Sequence, residues 1–271
     1  MDRLVKEAEE LAEQGVKELI LVAQETTLYG RDLYGEKSLH VLLRRLCEVK
    51  GIRWIRILYC YPEEIDENLI RVMKEEPKIC HYLDMPIQHS SDAILKRMGR
   101  RTSRQELEDI IGKLRREIPD IALRTTLITG FPGETEEDHE NLKSFVETMG
   151  FDRLGVFTYS PEEGTPAERM PDQVPEEVKE ERRDELMLLQ QQISAEKTEQ
   201  MVEKTLDVLV EGRIPEEGIY VGRTYRDAPE VDGYIFIHAE EEIISGDFVT
   251  VKVTGADEYD LTGDVIYEFT E

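Results

Sequence analysis

Cysteine is scarce in this 271-residue chain: Cys47, Cys60 and Cys80 are the only three, and they stand 13 and 20 positions apart. That spacing matches neither a paired disulfide framework nor the clustered cysteines of a zinc or iron–sulfur site, so each reads as a small buried hydrophobe. The five histidines, His40, His81, His89, His139 and His238, are equally scattered, and no metal site follows from them. Positive charge is short as well. Thirty-four Lys and Arg against 60 Asp and Glu leave a formal charge of −26, which makes nucleic acid an unlikely ligand by phosphate neutralisation and favours a basic protein. No apolar run approaches the roughly 20 residues of a membrane span, and no basic-then-apolar leader stands at Met1-Asp2-Arg3. The expectation is a cytoplasmic protein without membrane contact.

What is present is an alternation of strand-like and helix-like runs. The stretch 121–129, rich in Leu, Ile and Thr, reads as a buried strand. It stops at Gly130-Phe-Pro-Gly133, and Thr135 with Asp138 then opens an acidic helix by a capping-box variant. Glycines at 130 and 133 allow a sharp turn and leave backbone amides for a ligand. Helical patterns cover 1–14, 38–49, 65–75, 91–98, the stretch from the Ser103/Glu106 capping box to 117, and 136–149. Strand patterns cover 18–24, 54–59, 79–87 and 154–159. Five strands separated by helices predict a parallel sheet with right-handed crossovers, either open or part of a barrel.

Turn-rich segments at 160–167 and 170–175 mark the exit from this repeat. Pro175 suits the first position of a long charged helix running to about 201, with Leu186, Leu189 and Ile193 on its packing side. From 203 onward the pattern becomes short strands at 206–211, 219–224, 234–238, 248–254 and 261–268, which predicts a small antiparallel barrel of a binding kind. Residues 203–271 carry 5 Lys or Arg against 18 Asp or Glu, a net −13. A barrel so acidic repels phosphate and attracts a cationic polypeptide.

Ligands of parallel α/β folds bind at the carboxyl ends of the strands. The polar candidates there are Gln24 and Glu25, Tyr59 and Tyr61, Gln88, His89 and Ser90, Thr129 and Gly130, and Tyr159 and Ser160. This set is rich in amides and hydroxyls and poor in acid–base pairs; Glu25 and Glu134 are the one such pair the sequence offers. Arg124 either holds a carboxylate ligand or pairs with one of the many acids. Met73, Met85, Met98 and Trp54 read as core.

Four of these runs together resemble the radical S-adenosylmethionine methylthiotransferases: Leu21-Val-Ala-Gln-Glu-Thr-Thr-Leu-Tyr-Gly30, Pro86-Ile-Gln-His-Ser-Ser-Asp92 with Leu95-Lys-Arg-Met98, Thr129-Gly-Phe-Pro-Gly-Glu-Thr135, and Tyr159-Ser-Pro-Glu-Glu-Gly-Thr-Pro-Ala167. Glu162-Glu163 and Ala228-Pro-Glu-Val-Asp-Gly233 are similar to the branch that acts on an aspartate of a small-subunit ribosomal protein. The alternatives are the tRNA-modifying branch, which is usually more basic at both places, and a non-catalytic adaptor binding a basic ribosomal protein.

The resemblance implies an α/β fold: a partial radical SAM, TIM-like barrel of about five βα units at 1–174, a linking helix at 175–202 and a TRAM-like substrate-binding β-barrel at 203–271. It implies S-adenosylmethionine as cofactor, positioned by Gln24, Gln88, Ser90, Arg124, Thr126 and Gly130, and two 4Fe–4S clusters in the full-length enzyme. In that family a 5′-deoxyadenosyl radical takes hydrogen from the aspartate β-carbon, and a methylated sulfur is delivered there. The cluster-binding Cys-x-x-x-Cys-x-x-Cys loop has no counterpart here, and the three cysteines do not replace it. The expectation is therefore a chain that starts after the first strand and cluster loop and is inactive alone, with the acidic barrel docking a basic small-subunit ribosomal protein.

Overall fold

The computed structural model describes residues 1–267. Its first part alternates α1 (Asp2–Glu13), β1 (Glu18–Leu21), a one-turn α2 (Arg31–Tyr34), α3 (Leu39–Cys47), β2 (Trp54–Ile57), α4 (Glu67–Glu75), β3 (Ile79–Asp84), α5 (Asp92–Arg97), α6 (Arg104–Glu117), β4 (Ala122–Thr129), α7 (Glu136–Met149) and β5 (Arg153–Thr158). The five strands form one sheet in the order β1-β2-β3-β4-β5, every neighbour parallel. Both capping boxes exist. Thr135 Oγ1 accepts from Asp138 N at 3.2 Å while Asp138 Oδ2 accepts from Thr135 N at 3.0 Å, an arrangement worth about 0.5–2 kcal/mol to the helix start. β3 is shorter than its apolar run because Pro86 has no amide to give the ladder; Gln88 rejoins β4 through a single bridge to Leu127.

Strand alternation divides the sheet into two environments. Leu19, Ile55, Ile57, Leu83, Leu123 and Leu127 point into the main core under the helices. Each such side chain contributes about 1.5–3 kcal/mol by burial. Trp54, Cys80, Tyr82 and Ala122 point the other way, against Leu209 and Ala228 of the second part.

That second part follows α8 (Glu176–Glu199), for which Pro175 is the N-cap rather than the first helical residue. The strands β6 (Thr205–Ile214), β7 (Ile219–Arg223), β8 (Ile235–His238), β9 (Phe248–Ala256) and β10 (Leu261–Val265) close into a barrel ordered β10-β8-β7-β6-β9. Four of its ladders are antiparallel and β8 with β10 is parallel. Glu268, the last residue of the expected final strand, lies outside the described residues.

α8 packs on β5 and β4 with an unusual stripe: Lys179, Arg182, Leu186, Gln190, Ser194 and Thr198 are its buried residues. Their spacing follows the helical repeat, yet five of the six are polar. The expected Leu189 and Ile193 pack at the edge of the core.

Ion pairs fix the small barrel to the sheet. Glu18 Oε1 accepts from Arg56 Nε at 2.8 Å and Glu18 Oε2 from Arg223 Nη2 at 2.6 Å. Arg56 also donates to Tyr225 O at 2.7 Å and lies over the Tyr82 ring. Arg153 Nη2 meets Asp227 Oδ1 at 2.5 Å, and Arg226 Nη2 meets Asp152 Oδ1 at 2.9 Å. Among the described residues, no helix is long and apolar enough to cross a membrane.

Candidate functional site

The small barrel covers only part of its face of the sheet. On β5, Arg153 is buried against Asp227, whereas Phe157, four residues on and on the same face, is 62% exposed. Val22, beyond the end of β1, is 59% exposed and the Tyr59 ring is about half so. The uncovered region therefore lies toward the carboxyl ends of the strands, where parallel sheets hold their ligands.

Two of the five non-glycine residues with positive φ among the described residues lie at the same end. Tyr59 and Gln88 adopt φ of 58° and 71°, a left-handed conformation that costs a non-glycine residue on the order of 1–3 kcal/mol and persists only where its surroundings impose it. Gln88 is imposed on by β4: its amide donates to Thr126 O at 2.9 Å and its carbonyl accepts from Ile128 N at 2.8 Å. Tyr59 N donates to Asp84 Oδ2 at 3.2 Å, and Tyr59 O accepts from Thr26 N at 3.0 Å. Gln88 Oε1, His89 Nε2, Ser90 Oγ and Tyr159 OH are buried without a hydrogen-bond partner among the described residues. Unpaired buried polar atoms cost about 1–3 kcal/mol each, so a run of three consecutive residues carrying them is a place where a polar ligand would be gained rather than merely tolerated.

His89 Nδ1 accepts from Ser91 N at 2.9 Å, which leaves the ring proton on Nε2. Burial pushes its pKa down to about 4, so the ring is neutral near pH 7. Its Nε2 stands 3.8 Å from Glu134 Oε2. Glu134 is itself buried and organises the glycine turn: Oε2 accepts from Gly130 N at 2.6 Å and Phe131 N at 3.3 Å, and Oε1 accepts from Arg182 Nη1 at 3.1 Å. Burial raises the Glu134 pKa, against Arg182 and the two amides, which lower it.

Of the two glycine amides that the sequence offered to a ligand, Gly130 N thus goes to Glu134, and Gly133 N donates to Asp172 O at 2.8 Å. Gly130, at φ +70°, lies under α8, where a Cβ would sit 2.1 Å from Lys179 Cγ. Glu25 is likewise occupied, accepting from Thr27 and from Tyr61 N at 3.0 Å. Both carboxylates hold loops, each on its own set of amides.

Of the six residues singled out from sequence, Gln88 and Thr126 meet through a backbone hydrogen bond, with Ser90 two residues beyond. Gln24 is exposed after β1. Arg124 is engaged by Asp84 Oδ1 at 2.7 Å and by Asp232 Oδ1 of the small barrel at 3.4 Å, with Tyr82 OH donating to Asp232 Oδ2 at 2.7 Å. Gly130 shapes the turn. Lys179 and Arg182, which complete this end of the sheet, went unnoticed in the sequence because they lie about 50 residues from the turn they cover, on a helix whose charges look solvent-facing.

The orphaned atoms at 88–90 fit a polar molecule such as S-adenosylmethionine. An iron–sulfur cluster is not fitted. Cys47 on α3, Cys60 in the loop after β2 and Cys80 on β3 are all buried. Burial pushes the Cys47 thiol up to about 11 and the Cys80 thiol to about 12, and the Cys60 thiol rises too. Thiolates are the ligating form, and among the described residues no group of three His, Cys, Asp or Glu side chains is placed to hold a metal ion.

A helix-covered parallel sheet with polar loops at its carboxyl end, followed by a closed five-stranded barrel, is the architecture of a known class. The family model for the radical SAM superfamily matches residues 1–146 and that for the TRAM domain residues 202–266. The chain belongs to the radical SAM superfamily. Among curated proteins it is 65% identical over 263 residues to ribosomal protein uS12 methylthiotransferase RimO of Lachnoclostridium phytofermentans, covering 97% of this chain and 60% of that protein. To the protein of the same name from Desulfitobacterium hafniense it is 51% identical over 265 residues, covering 98% of this chain and 59% of the other. The chain thus spans about 60% of the length of these relatives. Among solved structures, coproporphyrinogen III oxidase (HemN) from Escherichia coli, a radical SAM enzyme, shares the fold at a TM-score of 0.55 and 19% identity, over 71% of this chain and 46% of that one.

Proposed function

We propose that this chain forms the cofactor-orienting and substrate-docking part of a cytoplasmic radical S-adenosylmethionine methylthiotransferase that modifies the β-carbon of an aspartate in ribosomal protein uS12. The observation that carries the reading is the 65% and 51% identity, over nearly all of this chain, to proteins of that name. The partly open sheet face and the acidic barrel support it. S-adenosylmethionine, when bound, supplies the methyl group and the radical chemistry of the superfamily. Gln88 and Ser90 gain partners for their unpaired atoms on binding it, with Thr126 beside them and Gln24 on the loop after β1. Arg124, through Asp232, holds the small barrel against the floor of the same region, and Gly130 with Glu134 fixes the turn above it. Val22, Tyr59 and Phe157 offer apolar surface that a seated cofactor and substrate would cover, keeping water from the reacting atoms. With no cluster ligands among residues 1–267, the chain alone is inactive in this proposal.

In the acidic barrel, Glu240, Glu241 and Glu242 are exposed on one loop and would meet the cationic uS12 surface. The test is fluorescence anisotropy of labelled recombinant uS12 titrated with the full chain. Binding should weaken steeply between 50 and 200 mM salt, and by about tenfold or more when all three glutamates become Gln. Tighter binding of tRNA than of uS12, or an unchanged Kd in the triple variant, would overturn the proposal in favour of the tRNA-modifying alternative or another docking face.

A further inference from the structure

At the opposite end of the sheet, where α6, α8 and the loop after β7 converge, a cavity of about 220 Å³ is lined by Arg115, Lys197, Lys204 and Arg226 against Asp120 and Asp152. In a chain of net charge −26, this is a local excess of two positive charges. The two acids do not cancel it. Asp152 Oδ1 takes Arg226 Nη2 at 2.9 Å and lies 3.5 Å from Lys197 Nζ, while its Oδ2 accepts Leu123 N at 3.0 Å. Asp120 Oδ1 is bound to His81 Nδ1 at 2.6 Å.

The donors, by contrast, are underused. Lys204 is exposed at the mouth of the cavity, and among the described residues its Nζ has only the Met201 sulfur, at 3.8 Å. Among the described residues Lys197 Nζ meets only Asp152 Oδ1, at 3.5 Å, and Arg226 uses one guanidinium nitrogen of three. Burial outweighs the pull of Asp152 and, with smaller contributions from Arg115 and Arg226, holds the Lys197 ammonium below its ordinary pKa, a cost that an anion in the cavity would reduce.

We infer that this cavity binds a small phosphate-class oxyanion, held by Lys197, Lys204 and Arg226 and joining the sheet, α8 and the small barrel. The size selects a small ion: pockets for drug-sized ligands span roughly 300–1,000 Å³. Two lysines and a guanidinium around one void match the charge and multiple acceptors of phosphate better than those of chloride.

Thermal unfolding of the full chain in inorganic phosphate, with sodium chloride keeping ionic strength equal, tests this. Because a ligand of the folded state stabilises it by mass action, the midpoint should rise saturably with phosphate and not with chloride. Lys197→Met with Lys204→Ala should weaken the apparent phosphate Kd at least tenfold, while Lys50→Ala, the loss of a remote exposed lysine, should leave it unchanged. Phosphorus NMR of inorganic phosphate should show line broadening with the wild-type chain and little with the double variant. Identical midpoints in phosphate and chloride, or equal weakening by Lys50→Ala, would overturn the inference.

Discussion

Glu18→Gln is the substitution with the sharpest consequence. Each Glu18 oxygen serves one arginine, Arg56 at 2.8 Å and Arg223 at 2.6 Å, and the three side chains are 5%, 0% and 3% exposed. The pair as a whole need not add stability, since desolvating the charges offsets their attraction. Removing the single carboxylate is different, because among the described residues buried Arg56 loses its only carboxylate partner, Arg223 is left with Glu211 alone at 2.6 Å, and one guanidinium faces an amide NH₂. The expected loss is about 3–5 kcal/mol, whereas deleting Lys6 from its exposed pair with Glu10 should cost well under 1 kcal/mol. Urea unfolding followed by tryptophan fluorescence reads this directly, because Trp54 is the only tryptophan and packs edge-on to Phe248 of the small barrel with ring centroids 4.7 Å apart. The Glu18→Gln midpoint should fall, with the Trp54 signal changing no later than the far-ultraviolet circular dichroism. A loss below 1 kcal/mol would show that Glu18 does not bear the charge of this interface, and the account of how the barrel is anchored would be wrong.

The His89 pKa, lowered to about 4 in the fold from 6.5, makes the folded state bind fewer protons than the unfolded state between those values. Stability from this group is therefore complete above about pH 6.5 and is lost as pH falls toward 4, by on the order of 3 kcal/mol. His89→Asn, which keeps an acceptor for Ser91 N, should flatten that part of the stability profile; identical slopes for both proteins would refute the assignment. Gly130→Ala forces a Cβ into Lys179 at a positive φ and should cost roughly 1–3 kcal/mol, with Lys179→Ala recovering only the steric part in chemical denaturation. Glu134→Gln should speed hydrogen exchange at the Gly130 and Phe131 amides, and unchanged protection would argue against the carboxylate as their anchor. With their thiols buried and pushed up, Cys47, Cys60 and Cys80 should resist a thiol reagent until the chain unfolds, and anaerobic reconstitution should load no stoichiometric iron and sulfide.

Periodicity alone determined a good deal of this molecule. Short apolar, β-branched runs marked the five strands, and Ser103 with Glu106 and Thr135 with Asp138 marked two helix starts, because these signals close within a few residues. The acidity of residues 203–271 was equally plain. Tertiary structure alone decided the rest: that Arg124 reaches Asp232 and Glu18 joins Arg56 to Arg223, that Lys179 and Arg182 turn inward over the glycine turn, and that the Gly130 and Phe131 amides are taken by Glu134. The physical reason is that hydrophobicity is a property each residue carries with it, legible by spacing, whereas a buried charge is tolerated only by a partner, and the partner here comes from as far as 205 positions away.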